Sequence, residues 1–90
     1  MKIEIVSDAG AVRVLDLVRF DGDQKPLAVV RWGMAGTYEI DLTANCLRHA
    51  RGVVVTNWRA VDVGALLEQH AAWRRRRREL AKPAIIRGRR

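Results

Sequence analysis

Cysteine is nearly absent from this sequence, which has Cys46 alone among its 90 residues. A single thiol excludes an intramolecular disulfide framework and is more at home in a reducing compartment. Glu4 stands where the apolar region of a signal peptide would begin, and neither Asn45 nor Asn57 starts a glycosylation sequon. Apolar runs such as Leu27 to Val30 are far shorter than the roughly 20 residues of a membrane-spanning helix. We therefore expect a cytoplasmic protein that does not insert into membranes.

Side chains for catalysis or metal binding are also scarce. Cys46 and His49 lie close in sequence, but His70 is the only other histidine, so no tetrahedral set of nitrogen and sulfur ligands is available. No orienting triad is apparent, and the phosphate-loop dipeptide Gly-Lys followed by Ser or Thr does not occur. His70 falls on an apolar stripe between Leu66 and Trp73, which predicts a partly buried imidazole with satisfied hydrogen bonds. We expect no enzyme activity, no metal site and no cofactor.

Four acids are the remaining candidates for holding a divalent ion: Asp21, Asp23, Glu39 and Asp41. Glu39 and Asp41 alternate with apolar residues in a predicted strand, and such alternation is typical of the solvent face of a half-buried sheet. A solvent-facing position explains these two acids more simply than a metal site does.

Acidic residues are also scarce at the end of the chain, where positive charge is concentrated. Residues 74–90 hold nine of the 17 Lys and Arg residues against one acid, Glu79, and carry a net charge of +8. The first 73 residues carry eight basic and nine acidic side chains, a net charge of −1, so the two parts sum to the formal +7 of the chain. Like charges this close repel one another unless an anion neutralises them. The pattern indicates a dense anion as partner.

Short strands are predicted over the first two thirds of the chain. The clearest runs from Thr37 to Thr43, where Tyr38, Ile40 and Leu42 alternate with acids. A change of phase in the second strand predicts a bulge or bend near Leu15-Asp16, and the piece from Asn45 to Arg51 looks irregular. The predicted strands are Lys2 to Val6, Ala11 to Phe20, Leu27 to Trp32, Thr37 to Thr43 and Gly52 to Thr56.

A helix is predicted from Asp62, the N-cap, to Lys82, where Pro83 favours a stop. Its apolar positions fall at helical spacing as far as Trp73. Five consecutive arginines, Arg74 to Arg78, then point around nearly the whole circumference and cannot all pack on a core. We expect the first half of the helix to lie on the sheet and the second half to project into solvent. The apolar stripe comprises Val63, Leu66, Leu67, His70 and Trp73.

These elements predict an α+β fold: a small antiparallel β-barrel or curved sheet of about five strands, followed by one C-terminal helix with a basic end. In outline this arrangement resembles small SH3-like barrels, and the resemblance implies a fold without implying a function. Residues 1–73 are predicted to form a single globular domain that includes the first half of the helix. Residues 74–90 are predicted to form a basic helical extension and flexible tail.

Five aromatic residues raise the question of base stacking. Trp32 and Tyr38 lie in predicted strands and Trp73 on the inner stripe of the helix, which favours core packing over stacking platforms. Trp58, next to Arg59 at the junction before the helix, is the best candidate for exposure. The sequence contains no signature of an RNA-recognition motif, a KH glycine loop or a zinc finger.

Two functional hypotheses follow. The first is a non-catalytic nucleic-acid-binding protein, for DNA or RNA and mainly without sequence specificity, because arginine suits phosphate oxygens and the charge exceeds what a helix dipole or solubility needs. The second is a small adaptor or inhibitor, such as a phage or prophage accessory factor, that docks an acidic protein surface. The residues predicted to contact nucleic acid are Arg74, Arg75, Arg76, Arg77, Arg78, Lys82, Arg87, Arg89 and Arg90, with Trp58 and Arg59.

Overall fold

The computed structural model describes residues 1–49, 54–55 and 57–87, with the backbone alone for residues 54–55 and 81–87. Its secondary structure over these residues is seven β-strands, a short 3₁₀ turn at Gly33–Ala35 and one α-helix. The elements are β1 (Lys2–Ser7), β2 (Val12–Asp21), β3 (Leu27–Arg31), β4 (Thr37–Asp41), β5 (Cys46–His49), β6 (Val54–Val55), β7 (Trp58–Ala60) and α1 (Val63–Arg87).

The strands form one antiparallel sheet in the order β6-β5-β4-β3-β2-β1-β7. Strands β1 to β5 follow one another as a meander, and β7 returns to pair with the free side of β1. The sheet curls until β5 and β7 come into contact, so that it forms a nearly closed barrel with α1 packed against β2 and β3. The predicted α+β fold, a small antiparallel barrel followed by one C-terminal helix, is confirmed.

Alternation along the strands builds the core. In β1, Ile3 and Ile5 are buried while Lys2 and Glu4 are exposed, because successive side chains of a strand point to opposite faces. Inward-facing residues of the other strands and one helical leucine complete a continuous apolar cluster. Its buried members are Ile3, Ile5, Leu15, Ala28, Val30, Ile40, Leu42, Leu47, Ala60 and Leu66.

The bulge predicted near Leu15-Asp16 is present in β2 and lies at Val18, two residues beyond Asp16. The pairing of β2 with β3 shifts between Leu17 and Arg19. Leu17 and Phe20 both pack against the core although they are an odd number of residues apart. One extra residue, Val18, restores the inward phase for Phe20, and this is what a β-bulge does.

Two strands were not predicted. The piece from Asn45 to Arg51 was interpreted as irregular, yet Cys46–His49 forms β5, with Leu47 fully buried opposite Ile40. Trp58–Ala60 forms β7 rather than a plain junction. Strands of three or four residues contain one inward residue or two, too few to produce a recognisable period. Of the strand predicted from Gly52 to Thr56, only Val54–Val55 lies within the described residues.

Helix α1 begins as predicted and ends later. The backbone N–H of Ala65 donates to the Asp62 carboxylate over 3.0 Å, which confirms Asp62 as the N-cap. The predicted stop at Lys82 is wrong, because α1 continues through Pro83 to Arg87. The φ angle of proline is itself helical, so a proline weakens a helix by roughly 3 kcal/mol without always ending it. Leu67 lies at the edge of the apolar stripe and is 38% exposed.

Asn45 joins the β4–β5 turn to β7. Its side-chain Nδ2 donates to the carbonyl of Ala60 over 3.2 Å, and its Oδ1 accepts from the N–H of Ala60 over 2.9 Å. The amide thus supplies the pair of hydrogen bonds that a neighbouring strand would supply. The backbone of Asn45 adopts the left-handed region at φ 52°, which asparagine tolerates better than most residues.

Replacing Asn45 by alanine should destabilise the barrel by about 2–4 kcal/mol, because two backbone groups lose their partners and alanine is strained in the left-handed region. Asn45→Gly removes the same hydrogen bonds without that strain and should cost about 1 kcal/mol less. Urea unfolding of both variants, with the exposed Asn57→Ala as control, measures the two contributions. Equal stability of Asn45→Ala and Asn57→Ala would show that the Asn45 amide does not join the β4–β5 turn to β7.

Asp41 is the acid whose predicted position is wrong. It was expected on the solvent face, but its side chain is 8% exposed and accepts the N–H groups of Thr43 and Ala44 over 3.0 and 3.1 Å. Burial alone would raise the pKa of the Asp41 carboxyl. The N–H groups of Ala44 and Thr43, with Lys25 and Arg48 nearby, outweigh burial and hold this pKa below its ordinary value of 3.8.

The Asp41 charge should therefore make the free energy of unfolding depend on pH. Because the folded pKa lies below the unfolded one, the stabilisation is fully present above pH 3.8 and is lost as the pH falls through the folded pKa. Asp41→Asn keeps an acceptor oxygen and removes the charge. Denaturant unfolding of this variant and the wild type between pH 7 and pH 2 should show a stability difference that vanishes at the acid end. A difference that stays constant with pH would contradict the assignment.

Candidate anion-binding site

The loop between β2 and β3, residues 22–26, forms one wall of the site. It begins with a tight turn in which Gly22 has φ 77°, and a Cβ on Gly22 would lie 2.0 Å from the carbonyl oxygen of Lys25. Only glycine fits such a position. The Asp21 carboxylate accepts the Gly22 N–H over 2.8 Å, which closes the start of the turn. The chain then presents Asp23 and Gln24 beside α1.

His70 ties this loop to the helix. Its Nε2 lies 2.8 Å from the carbonyl oxygens of both Asp21 and Gly22, so it carries a proton and donates to them. The imidazole is 3% exposed, packs edge-on against Phe20 at 5.9 Å between ring centroids, and touches Trp73 at 5.1 Å. The prediction of a satisfied histidine on the inner stripe is confirmed, and its burial is more complete than expected.

The five arginines divide between two faces of α1. Arg74, Arg77 and Arg78 have helical spacing i, i+3 and i+4, which places them on one side of the helix. Together with Asp23 and Gln24 they line a cavity of about 390 Å³ between the helix and the β2–β3 loop. Arg75 and Arg76 do not line this cavity, and all four of Arg75 to Arg78 are exposed. The positive charge of the run is therefore divided between the cavity and the rest of the helix surface.

Two of the cavity arginines differ in how they meet the rest of the protein. The guanidinium carbon of Arg77 lies 4.7 Å from the Trp73 ring centroid, a cation–π arrangement, and its Nη1 is 3.4 Å from the Asp23 carboxylate. Arg74 is half-buried, and its Nε is enclosed without a hydrogen-bond partner among the described residues. A desolvated guanidinium donor without an acceptor is costly, and an anion would lower that cost.

The remaining predicted contact residues are distributed along and beyond the helix. Lys82 and Arg87 lie in α1, where the structure describes their backbone and not their side chains. Arg89 and Arg90 lie outside the described residues altogether. From Arg75 to Leu80 every side chain is exposed, as the sequence predicted for the second half of the helix.

Trp58 and Arg59 are not brought together with the arginine run. Trp58 pairs with Ser7, near the Val12 end of β2, whereas the cavity adjoins the Asp21 end of β2. Arg59 forms an ion pair with Asp8 over 2.9 Å.

Trp58 is half-buried and packs edge-on against Trp32, with 5.2 Å between ring centroids. Trp32 in turn contacts Tyr38 at 5.5 Å, and Tyr38 contacts His49 at 4.8 Å. Trp32, Tyr38 and Trp58 all pack against the core, so the predicted core role of Trp32 and Tyr38 is confirmed and extends to Trp58.

Sequence reasoning missed Asp23 and Gln24 as part of the site. Their signal was present, because a glycine in a polar turn at Gly22 indicates a tight loop, but nothing in the sequence says that this loop meets the helix. Within the part of the chain that the structure describes, no three side chains of His, Cys, Asp or Glu gather as a metal site requires.

Comparison of the chain with protein-family models, with curated proteins and with solved structures finds no match. Among the described residues, α1 included, the structure has no helix long and apolar enough to cross a membrane.

Replacing His70 by alanine should loosen the loop from the helix and cost about 2–4 kcal/mol, since it removes a buried ring and leaves two carbonyls without their donor. Thermal unfolding measures the stability. Hydrogen–deuterium exchange of the backbone N–H groups of residues 22–25 should be faster in the variant, with the exposed Glu68→Ala on the same helix as control. Unchanged exchange in this loop would show that His70 does not hold it.

Proposed function

We propose that this protein binds nucleic acid in the cytoplasm, without a catalytic step, through contacts between its arginine run and backbone phosphates. The observation that carries the proposal is the division of the run. Arg74, Arg77 and Arg78 are gathered at one cavity, and Arg75 and Arg76 face solvent beside it. A strand of nucleic acid that passes around α1 would meet both sets.

The charge balance at the helix supports an anionic partner. The Asp23 carboxylate of the β2–β3 loop pairs with Arg77 at 3.4 Å. It neutralises one of the five guanidinium groups of the arginine run. Arginine presents a planar fork of donors that matches phosphate oxygens, and release of counterions makes such binding favourable at low salt. A helix dipole is complemented by far less charge than this.

The contacts proposed here read phosphate and not bases. Trp58 lies against Trp32 at the other end of β2, so a strand bound along α1 would not stack on it without turning around the barrel. Binding should therefore depend weakly on base sequence. Trp58 and Arg59, which the sequence also predicts as contact residues, would form a contact separate from the arginine run.

Binding should weaken steeply with salt. If five to eight phosphates are engaged, the slope of log K against log salt on duplex DNA should be roughly −4.5 to −7. Fluorescence anisotropy with labelled duplex DNA, single-stranded DNA and RNA measures it. Arg75→Gln with Arg76→Gln should make the slope less negative by about 2. Arg13→Gln with Arg31→Gln, which removes the same charge from the barrel, should leave the slope unchanged.

A slope near zero would overturn the proposal. The absence of binding to DNA and RNA at low salt would instead favour the adaptor or inhibitor hypothesis, in which the same arginines dock an acidic protein surface and the nearly neutral barrel provides specificity.

A further inference from the structure

The cavity between α1 and the β2–β3 loop has a charge that suits one particular kind of anion. Three guanidinium groups and the Asp23 carboxylate line it, which gives the lining a net charge of +2. The cavity is open to solvent, since the Arg77 and Asp23 side chains are 54% and 68% exposed, and its volume of about 390 Å³ falls in the range of small-molecule sites.

We propose that this cavity binds a phosphomonoester dianion, the terminal phosphate of a nucleic-acid strand. This rests on the proposed function and names the part of the strand that the site prefers. A terminal phosphate carries a charge of about −1.5 to −2 at pH 7 and offers three free oxygens. A phosphate within a strand carries one charge and has two free oxygens, so it matches the lining less well.

The arginines of the cavity are prepared for such a ligand. Arg77 is oriented before binding by the Trp73 ring and by Asp23, which lowers the entropy lost when it engages an oxygen. The enclosed Nε of Arg74 has no partner among the described residues, so the free protein already bears part of the desolvation cost of that cation. A bound dianion offsets this cost.

Asp23 opposes the ligand. Its carboxylate occupies a donor of Arg77 and repels an incoming phosphate, and its side chain is 68% exposed, so it is free to turn away. Asp23→Asn should therefore tighten phosphate binding, whereas every arginine substitution in the cavity should weaken it. Misfolding would weaken phosphate binding in every variant, so it cannot explain one substitution that tightens binding beside others that weaken it.

The test compares one oligonucleotide in three forms, with a 5′-phosphate, a 3′-phosphate or hydroxyl ends, bound to full-length protein in fluorescence anisotropy. We expect the phosphorylated forms to bind about 5- to 20-fold more tightly, the effect of one added charge-assisted contact. Arg77→Gln with Arg78→Gln should abolish this ratio. Arg75→Gln with Arg76→Gln removes equal charge from the same helix and should keep it, although both pairs weaken overall binding.

Asp23→Asn should raise the ratio, and Asp8→Asn, which releases Arg59 elsewhere, should not. Inorganic phosphate should displace the phosphorylated strand more effectively than chloride at equal ionic strength, which shows that the phosphate group itself is recognised. Circular dichroism checks that each variant is folded.

Equal affinity of the three forms, or equal loss of the ratio in both arginine pairs, would overturn the inference. The proposed function would survive this result if the hydroxyl-ended strand still binds with the expected salt slope. Protection of the wild-type protein by inorganic phosphate against thermal unfolding, abolished in Arg77→Gln with Arg78→Gln, would support the site. Failure of every strand to bind would overturn both the inference and the proposed function, even if inorganic phosphate still protects.

Discussion

The hydrogen bond from the His70 imidazole to the carbonyls of Asp21 and Gly22 determines where the helix meets the barrel. It joins α1 to the loop at the Asp21 end of β2, and the buried ring lies between Phe20 and Trp73. Because the buried His70 N–H needs an acceptor and two loop carbonyls supply it, loop and helix are positioned together. The cavity that follows, one helical turn later, exists because this contact holds both of its walls in place.

This arrangement changes the meaning of the basic segment. By charge alone, residues 74–90 could be a detachable arm carrying +8 beside a body carrying −1. The helix is continuous across that boundary, as the sequence predicted, and the Arg77 side chain contacts Trp73 and Asp23. Arginines attached to a rigid surface recognise shape as well as charge, whereas arginines on a free tail recognise charge alone.

The sequence predicts the elements that are long enough to show a periodic pattern of apolar residues. It does not predict the features that depend on contacts between residues distant in sequence. The alternation in β1 and β4 and the spacing from Asp62 to Trp73 led to the barrel and its helix. β5 and β7 are too short to show a period, and Asp41 was misplaced because its burial depends on Thr43, Ala44 and two distant cations. The arginines were found from their number alone. Their division into two faces required knowing which side of α1 meets the β2–β3 loop, and that is a tertiary contact without a local signal.

The closure of the barrel by Asn45 has a consequence for how the molecule opens. Elsewhere neighbouring strands are joined by backbone ladders, but between the β4–β5 turn and β7 the described residues are joined by one side-chain amide. A ladder opens cooperatively over several residues, whereas a single amide opens by rotation about its own side-chain bonds. Transient local unfolding should therefore begin where Asn45 contacts Ala60, separating β7 from the β4–β5 turn. The meander from β1 to β5 should stay paired during such openings.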